Sequence, residues 1–146
     1  MELILQQHLP HQQKAIDAIV DVFKDAYIAA PTQFYTNPTF SLKDAHISNN
    51  IKALQNSLPA EYRSNTPISE CDYLNLDIKM ETGTGKTYVY TQTIYEMHKK
   101  FGFNKFIIAV PSLPIKAGTS QFIDDSYVKH HFSDACGYNC DIELGV

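Results

Sequence analysis

An α/β domain, with parallel strands flanked by helices and an incomplete sheet, is predicted for this chain of 146 residues by three observations. The first is an alternating apolar run (Leu74, Leu76, Ile78, Met80) that leads into Thr82-Gly83-Thr84-Gly85-Lys86-Thr87 and then into an amphipathic stretch. That order reads as strand, phosphate-binding loop, helix. The second is a continuous apolar run at 105–110, which suits a strand buried on both faces of a parallel sheet. The third is the length between the two runs, which is that of a strand–helix–strand crossover.

Composition sets the outer bounds. Hydrophobic residues make up 44% of the chain and charged residues 19%, an ordinary composition for a packed core. The net charge of −4 leaves no global basic footprint, so any contact with nucleic acid has to be a local face. No apolar run approaches the roughly twenty residues of a membrane span. The N-terminus has no basic region followed by a long apolar one, so no signal peptide is expected. Cys71, Cys136 and Cys140 are an odd set, which fits reduced thiols in a cytoplasm better than a disulfide framework.

Taken in order, the chain opens with a short apolar lead-in at 3–5. Pro10 suits the first turn of a helix. Ala15, Ile16, Ile19, Val20, Phe23 and Tyr27 then recur at helical spacing, predicting a helix from about Pro10 to Tyr27. Residues 29–70 are turn-rich and lack a period, apart from a modest helix over 48–58 carried by Ile51, Leu54 and Leu58. Pro59 and the Asn65-Thr66-Pro67 break follow. This region reads as an insertion or linker, because structureless loops of that length are rare in compact domains. After the loop a helix is expected over 86–101, with Val89, Tyr90, Ile94, Met97 and Phe101 on one face and Gly102 as its stop. Pro111 closes the second apolar run, and a further helix is expected from near Pro114 to Ile123. Another turn or two of helix falls at 127–132, and an alternating strand pattern at 141–146. The organisation is then an N-terminal helix (1–28), an insertion (29–70) and the first part of a nucleotide-binding domain (71–146). With two good strands and one terminal candidate, the chain reads as the front of a domain.

The loop explains its own spacing. Gly83 and Gly85 let the backbone turn tightly with no side chain between it and a phosphate. Backbone N–H groups of Thr82, Gly83, Thr84 and Gly85 point inward, and the following helix adds its positive end. Lys86 reaches the outer phosphates as a point charge. The Thr87 hydroxyl is a ligand for Mg²⁺, which bridges phosphate oxygens and keeps several waters. Met80 stands where the general pattern G-x-x-x-x-G-K-[ST] has its first glycine.

These residues resemble a family. Met80-Glu81-Thr82-Gly83-Thr84-Gly85-Lys86-Thr87 with the nine residues that follow, the stretch at 103–119 and the stretch at 131–138 are similar to the N-terminal part of a superfamily 2 helicase or translocase motor. More narrowly they resemble the Res subunit of type III restriction–modification systems. The similarity covers 72–146 well and the first helix moderately. It implies a partial RecA-like P-loop domain that binds ATP and Mg²⁺, with Lys86 in the catalytic position. It implies an adenine-reading glutamine at Gln12, with Gln13 as the competing candidate. A glutamine amide can donate and accept at once, which matches the adenine edge. It also implies nucleic-acid backbone contacts at Pro111 and Ser112, with Lys116 and Thr119 adding to them. The implied partners are double-stranded DNA and a modification (methyltransferase) subunit, in the cytoplasm.

Other constellations rank below these. His130, His131, Cys136 and Cys140 match no zinc spacing. Asp124-Asp125 follows too short an apolar run for a metal-binding carboxylate pair. Glu81 is expected to tune the loop or to face a neighbouring domain. Tyr88, Tyr90 and Tyr95 sit at helical spacing and read as packing residues. No Asp-Glu-x-His-like motif, arginine-finger motif or nuclease carboxylate cluster is found, so the chain is expected to grip nucleotide without hydrolysing it or cutting DNA alone. The alternatives are a segment of another superfamily 2 motor, or a non-catalytic nucleotide-binding module.

Overall fold

The computed structural model describes residues 5–64 and 73–145. Residues 3 and 4 of the lead-in, the break at 65–67, Cys71 and Val146 lie outside the described residues.

Helix α1 (Pro10–Val22) begins where the proline sets it. It stops at Val22 rather than near Tyr27, because Asp25 takes a left-handed φ of 59° and turns the chain. Tyr27 is therefore left 77% exposed. The turn feeds a short antiparallel pair, β1 (Ile28–Ala29) and β2 (Thr39–Phe40), with Ile28 opposite Phe40. Helix α2 (Ala45–Asn56) follows. Its N-cap, Asp44, accepts from His46 N at 2.8 Å and from Tyr27 N at 3.0 Å, so one carboxylate caps α2 and fastens the chain beyond α1 to it. Those backbone donors hold the Asp44 carboxyl below its ordinary range. The stretch read as an insertion thus contributes Phe40, Ile47, Ile51 and Leu54 to a core with Val22, Phe23 and Met97.

Helix α3 (Lys86–Phe101) is the axis of the molecule and has the expected bounds. Glycine sets both ends. Gly85 precedes it at φ 86°, and Gly102 ends it at φ 76°, donating to His98 O at 2.9 Å. On one side, Val89 packs with Ala15, Ile16 and Val20 of α1. On another, Tyr88 and Tyr95 pack with Val128, Phe132 and Tyr138. The latter group comes from the chain after α4 (Leu113–Asp124), through α5 (Ser126–His130) and a π-helical turn (His131–Ala135). Burying α3 on both sides takes polar residues inside as well. Gln92 donates to the Tyr138 hydroxyl at 3.1 Å, and that hydroxyl donates to Glu96 Oε1 at 2.7 Å. Burial pushes the Glu96 carboxyl up, but the hydrogen bonds from Tyr138 and Lys100 outweigh it and leave the group below its ordinary range.

The parallel sheet expected from the sequence is not formed among the described residues. Their one sheet is the β1–β2 pair. The runs at 74–80, 105–110 and 141–145 carry no helix or ladder, and no backbone hydrogen bond joins any of them to another. A strand is defined by its neighbour, and here the neighbour is lacking. A cleft of about 850 Å³ lies between the second and third runs, lined by Phe103, Phe106, Ile108, Val110, Ile142 and Leu144. Ile107 is 96% exposed, so the second run is not buried on both faces. The run is fixed at its start by Asn37, whose Oδ1 accepts from the N–H groups of Asn104 and Lys105 and whose Nδ2 donates to Lys105 O. No helix among the described residues is long and apolar enough to cross a membrane.

His131 provides a pH handle on this core. It is buried at 6% exposure, with Nε2 3.0 Å from the Tyr88 hydroxyl, and burial lowers its pKa from 6.5. The unfolded chain therefore binds a proton that the folded chain resists. The stability that His131 contributes is present above pH 6.5 and is lost as the pH falls through the lowered folded-state value. The melting temperature should fall between pH 7 and pH 5, and the His131→Gln variant should show a flatter profile in that window. Equal slopes for the two proteins would remove His131 as the cause.

Candidate functional site

The loop between the 74–80 run and α3 has the backbone that its glycines predict. Gly83 and Gly85 both sit at positive φ, 81° and 86°. The loop closes on itself through the Glu81 carbonyl, which accepts from Thr84 Oγ1 at 2.7 Å and from Lys86 Nζ at 2.6 Å. Lys86 is thus folded back over the loop with its ammonium held by a neutral acceptor. A phosphate oxygen is a stronger partner for that ammonium, so the resting contact is exchangeable. Glu81 tunes the loop through its backbone, while its side chain is exposed.

At the top of α3 the N–H groups of Lys86, Thr87 and Tyr88 have no hydrogen-bond acceptor among the described residues, and no side chain there caps the helix. Those donors and the helix dipole create a positive corner directly beside Lys86. The Thr87 hydroxyl, half-buried in that corner, makes no hydrogen bond among the described residues. Thr82 is exposed.

Gln12 reaches this loop from α1 across 72 residues of sequence, donating from Nε2 to Thr84 O at 3.0 Å. A Cβ built on Gly85 would lie 2.3 Å from that nitrogen, so the glycine is what lets the amide pack there. Gln12 is 7% exposed, and its Oε1 is buried with no partner. An unpaired buried amide oxygen carries a desolvation cost of about 1–3 kcal/mol until a donor arrives. Gln13 turns away and donates to Asp17 on its own helix, so Gln12 is the glutamine that meets the loop. His11 was missed by sequence reasoning: its Nε2 lies 3.2 Å from the same Thr84 carbonyl. Its only signal is its place next to Gln12.

The second predicted group divides. Pro111, Ser112 and Lys116 are exposed around the start of α4. Ser112 is the N-cap in extended conformation, its hydroxyl makes no cap bond, and its carbonyl accepts from Lys116 N. Thr119 is different. It is 8% exposed, and its hydroxyl lies 2.9 Å from that of Tyr90 on α3. It faces inward and is not on the surface that the other three share.

Among the described residues no group of three His, Cys, Asp or Glu side chains is placed to hold a metal. Burial pushes the Cys136 and Cys140 thiols up, away from the reactive thiolate. Tyr88 and Tyr95 are packing residues, at 6% and 3% exposure. Burial raises the Tyr95 hydroxyl to about 12.

The sequence as a whole matches the family model described as "Type III restriction enzyme, res subunit" over residues 6–138. It is 40% identical over 133 residues to the type III restriction-modification enzyme EcoPI Res subunit of Escherichia phage P1, covering 88% of this chain and 14% of the relative. It is 39% identical over 134 residues to the EcoP15I Res subunit of Escherichia coli, covering 89% and 14%. The StyLTI Res subunit of Salmonella typhimurium is 37% identical over 131 residues, covering 89% and 11%. The chain therefore spans only a small part of the length of these relatives. A match of this extent, running through the loop, Gln12 and the start of α4, places the chain in the type III restriction enzyme Res subunit family.

Proposed function

We propose that this chain is the ATP-gripping front part of a DNA-dependent motor in a type III restriction endonuclease. The carrying observation is the loop at 83–87, where two glycines at positive φ lead into an uncapped helix whose first lysine covers the loop. In this reading Thr82, Gly83, Thr84, Gly85 and Lys86 cradle the triphosphate of ATP. Lys86 leaves the Glu81 carbonyl for the outer phosphates and serves as the catalytic-site cation. Thr87 supplies its free hydroxyl to Mg²⁺. Bound there, the ion would neutralise charge on the outer phosphates. The orphaned Gln12 Oε1 accepts from the adenine exocyclic amine.

Pro111, Ser112 and Lys116 contact the backbone of double-stranded DNA at the uncapped start of α4. The runs at 74–80, 105–110 and 141–145 act as strands of a RecA-like parallel sheet once partner strands lie beside them. The whole enzyme couples ATP hydrolysis to DNA cleavage in the cytoplasm, together with a modification (methyltransferase) subunit. The names of the relatives, which describe subunits of restriction-modification enzymes, support that assignment. The chain itself carries the grip, and hydrolysis needs a metal carboxylate, a water-orienting residue and a charge-stabilising arginine in addition.

Calorimetric titration with Mg²⁺–ATP tests the reading. The wild-type chain should bind, and Lys86→Ala should weaken binding by at least about tenfold, the range of a charge-assisted hydrogen bond of ~1.5–3 kcal/mol. Equal affinity in the two proteins would overturn it. Robust ATP turnover by the chain alone that Lys86→Ala abolishes would leave the grip standing and overturn the assignment of hydrolysis to further groups.

A further inference from the structure

The inward-facing Thr119 calls for its own explanation. Helix α4 is held at its C-terminal end, where Ile123 is buried and Phe122 packs against the Tyr88–Phe132 cluster. Every residue from 113 to 118 is exposed, including Leu113 at 81% and Ile115 at 49%. Thr119 is therefore the first residue of α4 that is fixed to the body of the protein. Its hydroxyl is fixed to Tyr90, and among the described residues this is the one hydrogen bond joining α3 to α4. The 850 Å³ cleft, lined in part by Ile94, Lys116 and Thr119, leaves little packing beside it to do the same work.

Position on each helix gives the bond its significance. Tyr90 lies one turn beyond Lys86 on the same face of α3. Thr119 lies two turns beyond Ser112 on α4. One hydroxyl pair thus spans the helix that starts at the phosphate loop and the helix that starts at the proposed DNA contact. It is half-buried, so breaking it leaves at least one hydroxyl without water to replace its partner.

We infer that Tyr90 and Thr119 are positioning residues that couple the two sites: their hydrogen bond sets how the free N-terminal half of α4 sits when the phosphate loop is filled. The inference rests on the reading of those sites given above. In this inference the element that shifts is residues 113–118, the exposed half of α4 that the bond anchors at Thr119. Each ligand biases its position, and the coupling is reciprocal. Neither hydroxyl belongs to the nucleotide and DNA contacts proposed above, so each ligand's own affinity stays close to its starting value when the bond is lost.

The test is a thermodynamic cycle on the chain. A non-hydrolysable ATP analogue with Mg²⁺ is titrated with and without a short duplex DNA. The wild type should show a change in analogue affinity of about fivefold or more when DNA is present, the lower range for coupled sites. Tyr90→Phe and Thr119→Val should each bring that factor to about one, and the double variant should match the single ones. Thr119→Ser keeps the hydroxyl and should restore the coupling. Melting curves show that each variant is folded. Undiminished coupling in Tyr90→Phe, or singles whose effects add, overturns the link. A wild type that binds both ligands without coupling also overturns it and leaves the two sites standing. A wild type that binds neither ligand overturns the reading of the sites and the link with it.

Discussion

Phe132→Ala is expected to destabilise the chain by about 3–5 kcal/mol, the usual cost of truncating a buried phenylalanine. Phe132 is 0% exposed and stacks on Tyr95 with ring centroids 5.0 Å apart, with Tyr88 5.2 Å away on another side. The site cannot collapse easily. Its neighbours are rings pinned by their own bonds, Tyr88 to His131 and Tyr138 to Glu96. A cavity among rigid partners keeps most of its penalty. For a chain of this size the loss corresponds to a fall in melting temperature of roughly 10–16 °C. Circular dichroism on heating reads it directly. A fall of only a degree or two would mean that the cluster around α3 and the chain after α5 is not the principal core.

The second large effect belongs to the phosphate loop. Gly85→Ala should weaken Mg²⁺–ATP binding by ~30–100-fold. Two costs combine. An L-residue at φ 86° pays about 1–2 kcal/mol of backbone strain. The new methyl also meets Gln12 Nε2 at 2.3 Å, which drives the amide off Thr84 O and forfeits a bond of ~1 kcal/mol. Gly83→Ala isolates the first cost, because that glycine has a φ of 81° but nothing within 4 Å of an added Cβ. It should weaken binding by about tenfold. Equal losses in the two variants would contradict the packing of Gln12 against the loop.

Local signals were the legible ones. Gly85 and Gly102 bracket α3, Pro10 starts α1, and each acts through its own backbone. The end of α1 was not legible, because the turn there is made by Asp25, a residue with no obligation to take positive φ. Nor was the β1–β2 pair, whose register depends on residues ten and twelve positions apart inside a turn-rich stretch. The parallel sheet is not formed among the described residues for the same reason in stronger form: the pattern at 105–110 records suitability for a strand, and suitability does not supply a neighbour.

At the site, the loop and Gln12 come from residue chemistry that tolerates few substitutes. Thr119 is the opposite case. On α4 the apolar Leu113 and Ile115 are exposed, while Thr119 lies one turn before the buried Ile123 on the same face. Its partner, the Tyr90 hydroxyl, is set by the tertiary packing of α3. His11 likewise meets the loop because α1 lies beside it, and that is a tertiary fact.

The Asn37 clamp has a consequence for how the chain behaves in company. It stands in for a strand neighbour at Asn104 and Lys105, and it stops there. Beyond it the run at 106–110 leaves its peptide groups unpaired among the described residues, with Ile107 almost fully in water. An apolar edge of this kind is a template for any extended segment that meets it. Colloidal behaviour will be governed by these few residues more than by the net charge of −4. Whatever covers them acts as a solubility device as well as a structural one.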